Sequence, residues 1–366
     1  MAVNEPIFQG NEWKYLKECV DTAWVSYNGK FVKQFEEEFA KYVGSKHAIA
    51  LVNGTAAVHL ALILMGIDTD DEVIVPSFTF VASINPILYQ KAKPVFIDSE
   101  LKTWNMDPEQ IESMITEKTK AIEAVHIYGI PAQIEKIKKI ADKYNLPLIE
   151  DASEGLGAEV MGKKVGTFGK VGAFSFNGNK LITCGGGGML VTDDDEIADR
   201  ARWLSTQARL GTDYIHGAVG YNYRMTNIQA AVGLAQLEQI YYFINIRRKN
   251  GLLYRELLEP IKGIDFTPER QNTETIHWMN AILIDKDRYG YSKDDIIQKL
   301  NAENIANRPF FVPTHSYEYL KNFRTSDKMD ISFKLYNEGI CLPSSVNFDK
   351  STVEKIGKII KELSKL

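Results

Sequence analysis

The pattern that most restricts this chain is a repeated exchange between short apolar runs and segments with helical spacing. The runs "HAIALV", "DEVIVP", "KPVFID", "AIEAVHIY", "LPLIED", "VGAFSF" and "GGMLVTD" each have the length of a strand. Between them lie stretches such as "GTAAVHLALILMG" and "IEKIKKIADKYN", whose apolar positions recur every three or four residues. Parallel strands need long crossover connections, and the helices that make them cover both faces of the sheet. The expected fold class is therefore α/β, with a mainly parallel sheet. From Thr226, "TNIQAAVGLAQLEQIYYFINIRRKNGLLYRELLE" contains no proline and reads as one long helix, or two in succession, leading away from that sheet. Beyond it the chain becomes more charged and closes with the amphipathic "STVEKIGKIIKELSKL", the pattern of a smaller α+β domain. We expect a large domain over 1–245 and a small C-terminal domain over 246–366.

Length and charge exclude several classes. A chain of 366 residues can bury a large core and hold a cleft between two lobes. A net charge of −5 without a cationic cluster argues against a nucleic-acid partner. The most apolar stretch, "AAVHLALILMG", is far short of the roughly 20 residues of a membrane span. "MAVNEPIFQGNEWKYL" lacks a basic segment followed by an apolar core. Cys19, Cys184 and Cys341 are widely spaced, without metal-ligand spacing, so the expectation is a reduced cytoplasmic chain with no metal site.

Three local features carry chemistry. In "ALVNGTAAVHLAL" a strand ends in Asn53-Gly54-Thr55 and passes directly into a helix, whose free N–H groups and positive dipole end favour an anion. Gly54 permits close approach, and Thr55 is either a hydroxyl donor or a helix cap. In "LPLIEDASEGLG" a strand ends in Glu150-Asp151. Ligands of open α/β sheets bind at such ends, and a carboxylate there needs a cation or a donor, unless it is only a turn former. In "GAFSFNGNK" the alternation turns Phe174 and Phe176 inward, so Ser175 and Lys180 can approach one site ahead of Gly185 to Gly188. An amine among apolar groups and near cations becomes a nucleophile toward a carbonyl, whereas a solvated turn lysine does not. Together a phosphate cradle, a strand-end aspartate and a lysine meet the needs of pyridoxal 5'-phosphate, with Phe78 and Phe80 of "VPSFTFVASINP" available to cover its ring.

The motifs "VNGTAAVHLAL", "VPSFTFVAS", "VHIYG", "IEDASEGLGA", "GTFG", "FSFNGNK", "GGGGM", "GYNYRMTNIQAA" and "NRPFFVPTH" occur in the order seen in one family. Through them nearly the whole chain resembles the DegT/DnrJ/EryC1/StrS sugar aminotransferases, fold type I pyridoxal phosphate enzymes. The resemblance implies that Lys180 bonds to the cofactor's aldehyde, Asp151 holds its ring nitrogen and Phe80 stacks on the ring. It assigns Gly54, Thr55, Ala56 and Ser175 to the phosphate, and Glu154 to the neighbourhood of the phenolic oxygen. Asn222 would reach the phosphate of a neighbouring subunit, making a homodimer with shared active sites. Tyr27, Lys30, Arg308 and His315 match segments near the nucleotide sugar, Arg308 as a partner for a diphosphate. His126 reads as a structural histidine, and Cys184 as a small apolar filler.

The implied partners are glutamate, as amino donor, and a nucleotide-linked keto sugar. Both branches that the chain resembles aminate C4 of a 4-keto-6-deoxy sugar, for surface polysaccharide or lipopolysaccharide O-antigen biosynthesis. "ECVDTAWVSYNGKFVKQFEEEFA" and "KTWNMDPEQIESMITEKTKAI" resemble perosamine synthases, which act on GDP-4-keto-6-deoxymannose. "FNGNKLIT", "GGGGM" and "STQAR" resemble the branch acting on UDP-4-keto-6-deoxy-N-acetylglucosamine, and their position beside Lys180 tips the expectation toward UDP. Three other classes make different demands on the sequence. A dehydratase of the same fold replaces the lysine with histidine. A silent nucleotide-sugar-binding protein leaves Lys180 unexplained. A nicotinamide-dependent reductase needs a glycine spacing that "NGTAA" lacks.

Overall fold

Each of the seven apolar runs supplies a strand of one sheet. The strands are β1 (His47–Leu51), β2 (Glu72–Pro76), β3 (Lys93–Ile97), β4 (Thr119–Val125), β5 (Leu148–Asp151), β6 (Val171–Ser175) and β7 (Gly188–Thr192). In this computed structural model, which describes residues 2–268 and 270–364, their order is β1-β7-β6-β5-β4-β2-β3. β7 is antiparallel to both its neighbours, and the other strands share one direction. The runs are apolar throughout because alternate residues enter different cores. Val73 and Val75 of β2 pack on one face with Ile49 and Leu51, while Ile74 packs on the other with Ala48, Ala50 and Phe39. β4 is shorter than "AIEAVHIY" suggests. It stops at Val125, because Tyr128 and Gly129 take left-handed backbone conformations with φ of 54° and 82°, which no strand continues.

The long proline-free segment forms two helices, Asn227–Leu237 and Ile240–Leu258. The first opens on a capping box in which Thr226 and Gln229 satisfy each other's backbone N–H groups. The second joins two cores. Phe243 and Ile244 belong to the cluster under the large sheet, whereas Tyr254 and Leu258 pack into a third cluster. That third cluster lies against a four-stranded sheet of β8 (Ile264–Asp265), β9 (Asn280–Ile284), β10 (Arg308–Pro309) and β11 (Gly339–Leu342), ordered β8-β9-β11-β10. Arg247, buried in the bridging helix, donates to the carbonyls of Trp278 at 2.8 Å and Ser344 at 2.5 Å, and to Asn4 Oδ1 at 2.6 Å. One cation therefore fastens the N-terminal segment, the approach to β9 and the chain beyond β11 to the bridging helix. Among the described residues, no helix is long and apolar enough to cross a membrane, and all three cysteines are free and buried.

Candidate active site

The strand ends that share one direction deliver their following loops to a single edge of the sheet, and a pocket of about 430 Å³ lies along it. At one end β1 leads into the helix Gly54–Leu64, whose cap is Asn53, its side-chain oxygen accepting the Ala56 N–H at 2.7 Å. Gly54 passes so close to β6 that a Cβ there would stand 2.7 Å from Ser175 Cβ and 3.3 Å from Ser153 Oγ. The pocket wall here consists of Gly54, Thr55, Ser153 and Ser175. Backbone N–H groups at a positive helix end, ringed by hydroxyls, form a donor set that suits a phosphate. Ala56 departs from expectation. It is buried behind Thr55, and because Asn53 already takes its N–H, it supports the helix end rather than lining the pocket.

Adjacent acids at the end of β5 point to opposite faces, as successive strand residues must. Glu150 faces away from the pocket and accepts the N–H groups of Gly166 at 2.8 Å and Gly169 at 2.6 Å. It also meets His126 Nε2 at 3.0 Å. The Ala132 N–H donates to His126 Nδ1, leaving Nε2 to carry the proton toward Glu150, so this histidine is structural. Asp151 faces the pocket. Ser83 Oγ donates to it at 2.9 Å and the Ser153 N–H at 3.0 Å, and Ser83 Oγ is in turn 3.0 Å from Thr79 Oγ1. A buried carboxylate with two donors retains acceptor capacity for a protonated ring nitrogen.

Lys180 follows the turn at Asn177–Asn179 and reaches into the same pocket. Its Nζ lies 3.5 Å from Glu154 Oε1 and 4.1 Å from the centroid of the Trp278 ring. The charged group beside it is thus an anion rather than the cation expected, and the apolar surface is one indole face. Burial pushes the Glu154 carboxyl above its ordinary value, opposed by Lys180 and by the Tyr128 N–H, which donates to Glu154 Oε2 at 2.8 Å. Trp278 is itself fixed, because its Nε1–H donates to the Asn179 carbonyl at 2.8 Å.

The remaining expected residues divide in two. Phe80 stands half-exposed at the pocket mouth, 5.7 Å from the Phe311 ring, and Arg308 lines the pocket from β10. Tyr27, Lys30, His315 and Asn222 do not line it. Tyr27 lies under the Arg224 guanidinium, Lys30 pairs with Glu18, and His315 Nδ1 is 2.5 Å from Ser77 Oγ. Asn222 is exposed, bridged to Thr206. Sequence reasoning missed Ser83, Ser153, Trp278 and Phe311. Ser83, Ser153 and Phe311 stood inside motifs already singled out, "VPSFTFVAS", "IEDASEGLGA" and "NRPFFVPTH", so those motifs could have revealed them, whereas Trp278 stood in none. Among the described residues, no group of three or more His, Cys, Asp or Glu could hold a metal ion.

A phosphate cradle at a helix end, a strand-end carboxylate and an amine opening into one cleft fit pyridoxal phosphate and define a fold type I pyridoxal phosphate enzyme. The chain belongs to the DegT/DnrJ/EryC1/StrS aminotransferase family, whose model matches residues 6–361. It is 41% identical to the putative pyridoxal phosphate-dependent aminotransferase EpsN of Bacillus subtilis (strain 168), over 99% of this chain and 94% of that protein. It is also 41% identical to the GDP-perosamine synthase of Vibrio cholerae, over 99% of this chain and 98% of that one. A solved structure of the Escherichia coli GDP-4-keto-6-deoxy-D-mannose-3-dehydratase with bound hydrated PLP superposes with a TM-score of 0.91 at 25% identity, covering 98% of each chain. The protein is a pyridoxal phosphate-dependent sugar aminotransferase of this family.

Proposed function

We propose that the enzyme moves an amino group from glutamate to C4 of GDP-4-keto-6-deoxymannose, as a GDP-perosamine synthase does. The observation that carries this reading is the 41% identity to such a synthase, sustained over 99% of the chain. It displaces the lean toward the UDP-linked N-acetylated sugar, which rested on a few residues around Lys180.

In this reading pyridoxal phosphate supplies an aldehyde and a ring that withdraws electrons. Gly54, Thr55, Ser153 and Ser175 hold the phosphate, and Ala56 backs the helix end that faces it. Asp151 keeps a proton on the ring nitrogen, with Ser83 and the Ser153 N–H fixing the orientation of its carboxylate. Lys180 Nζ, the amine that opens into the pocket, would bond to the aldehyde and, when free, would move the proton at the donor's α-carbon. Glu154 would hold Lys180 in place while its amine is free, and Phe80 would cover the ring face. Arg308 takes the diphosphate of the nucleotide sugar.

The active unit is a homodimer in which Asn222 serves the partner's phosphate. Two features support it: Asn222 is exposed, and so are the large apolar side chains of Trp13, Trp24, Tyr214 and Val219. Tyr27, Lys30 and His315 belong to the rim around the sugar. Residues 1–245 act as the cofactor domain and 246–366 as the domain closing the sugar side. The enzyme works in the cytoplasm, on the way to a surface polysaccharide.

The test offers the purified holoenzyme GDP-4-keto-6-deoxymannose and UDP-4-keto-6-deoxy-N-acetylglucosamine side by side with excess glutamate. We expect a far higher kcat/KM for the GDP sugar and a product with nitrogen at C4. Preference for the UDP sugar would overturn the choice of nucleotide, and nitrogen at C3 would overturn the position.

A further inference from the structure

Tyr128 touches both walls of the pocket, one through its backbone and the other through its side chain. It follows β4 in a left-handed conformation, φ 54° and ψ 18°, which a bulky residue keeps only where its surroundings impose it. That turn aims its N–H at Glu154 Oε2, 2.8 Å away, and leaves Oε1 toward Lys180 at 3.5 Å. Its ring is buried against Phe310, with centroids 4.8 Å apart, and stacks on Phe311 at 5.4 Å with 27° between planes. The phenol oxygen accepts the Phe311 N–H at 3.3 Å. Phe311 and Arg308 line the pocket from the small-sheet side.

We propose that Tyr128 is a positioning residue that sets Glu154 against Lys180 through its backbone and holds the Arg308–Phe311 wall through its ring and hydroxyl. The ring and the N–H share one Cα, so packing of the ring on Phe310 and Phe311 helps to hold the left-handed backbone that presents the N–H to Glu154. The part concerning the wall rests on the reading of Arg308 as the sugar-side residue. The part concerning Glu154 does not.

The experiment titrates the visible absorbance of the holoenzyme with pH, without any sugar, in wild type, Tyr128→Ala, Glu154→Gln and the double variant. Tyr128→Ala should move the midpoint by half a pH unit or more, in the same direction as Glu154→Gln, and should add nothing in the Glu154→Gln background. A tyrosine that only fills the core would lower the melting temperature and leave the midpoint in place, and that result overturns the proposal. So does an equal shift in both backgrounds. Tyr128→Phe keeps the ring and backbone but loses the hydroxyl, so it stays informative if the alanine variant fails to fold. It should raise KM for the nucleotide sugar about five- to tenfold with kcat unchanged, the loss of one hydrogen bond. An unchanged KM would remove the wall from Tyr128's role. If neither nucleotide sugar is turned over, the reading of the substrate fails, while the titration still decides for or against the link to Glu154.

Discussion

Thr55, Asp151 and Ser175 stand at or just beyond ends of sheet strands, whereas Trp278, Arg308 and Phe311 enter the same pocket from segments around the smaller sheet. The first group is placed by local rules. A strand ends, a helix begins, and a polar residue at the junction has nowhere to point except along the sheet edge. The second group is placed by long-range packing, through Arg247 fastening the Trp278 carbonyl and Tyr128 stacking on Phe311. The side proposed for the cofactor is therefore fixed by local rules, and the side proposed for the sugar by packing between distant segments of the chain. That division is a reason to weigh whole-chain identity above the short motifs near Lys180 when choosing between the two nucleotides. Thr206 and Gln207 of "STQAR" do not line the pocket at all.

Breaking the cofactor side should have the largest effects. Lys180→Ala removes an amine rather than core volume, so the protein should fold. Amine transfer should fall below about one-thousandth of wild type, and the visible band sensitive to borohydride should vanish. Turnover near the wild-type rate would mean that another group carries the aldehyde. Asp151→Asn keeps the shape and the bond from Ser83 but loses the charge opposite the ring nitrogen. A fall in kcat of about 10²- to 10³-fold is expected, from single-turnover measurement of the glutamate half-reaction, with folding unaffected by circular dichroism.

The sugar side should respond differently. Arg308→Ala is expected to raise KM for the nucleotide sugar about ten- to a hundredfold, while kcat and the rate of the glutamate half-reaction stay within about threefold. Steady-state kinetics with both substrates varied would show the split. An equal loss in both half-reactions would place Arg308 on the cofactor side and erase the contrast between the two walls.

The same contrast separates what could be read in advance from what could not. All seven strands were legible, because burial on two faces leaves an unbroken apolar run. The lining of the pocket by Lys180, Asp151, Gly54 and Thr55 was legible too, each standing beside a strand end or a glycine. Trp278 was not. "TIHWMN" has no periodicity or turn signal that distinguishes a pocket indole from a core one, and its role depends on the Asn179 carbonyl 99 residues earlier in the chain. Ala56 misled for a related reason. A motif shows which residues stand at a helix end, but whether its N–H is free depends on the rotamer of Asn53. The left-handed turn at Tyr128 was equally hidden, since tyrosine carries no preference for that conformation.

The smallest effect on turnover belongs to a second acid on the cofactor side. Glu123 lies two residue pairs deeper than Asp151, and so on the same sheet face, because Val125 pairs with Asp151 and Glu123 with Ile149. It is fully buried, and neither of its carboxyl oxygens has a hydrogen-bond partner. Burial, and after it the charge on Asp151, pushes its carboxyl well above the ordinary range. A folded value raised above the unfolded one gives a contribution that is fully present below about pH 4.5, the unfolded range, and is lost as pH rises toward the folded value. Glu123→Met removes that dependence along with an unsatisfied buried group. The variant should therefore gain stability over wild type as pH rises above about 4.5, by at most about 1.4 kcal/mol per pH unit until the folded carboxyl ionises, measured by denaturant unfolding of the two proteins in parallel. Turnover should remain within about twofold, because Asp151 keeps its bonds from Ser83 and Ser153. A difference in stability that does not vary with pH would show that Glu123 is not held neutral, and Asp151 would then share its face of the sheet with a second negative charge.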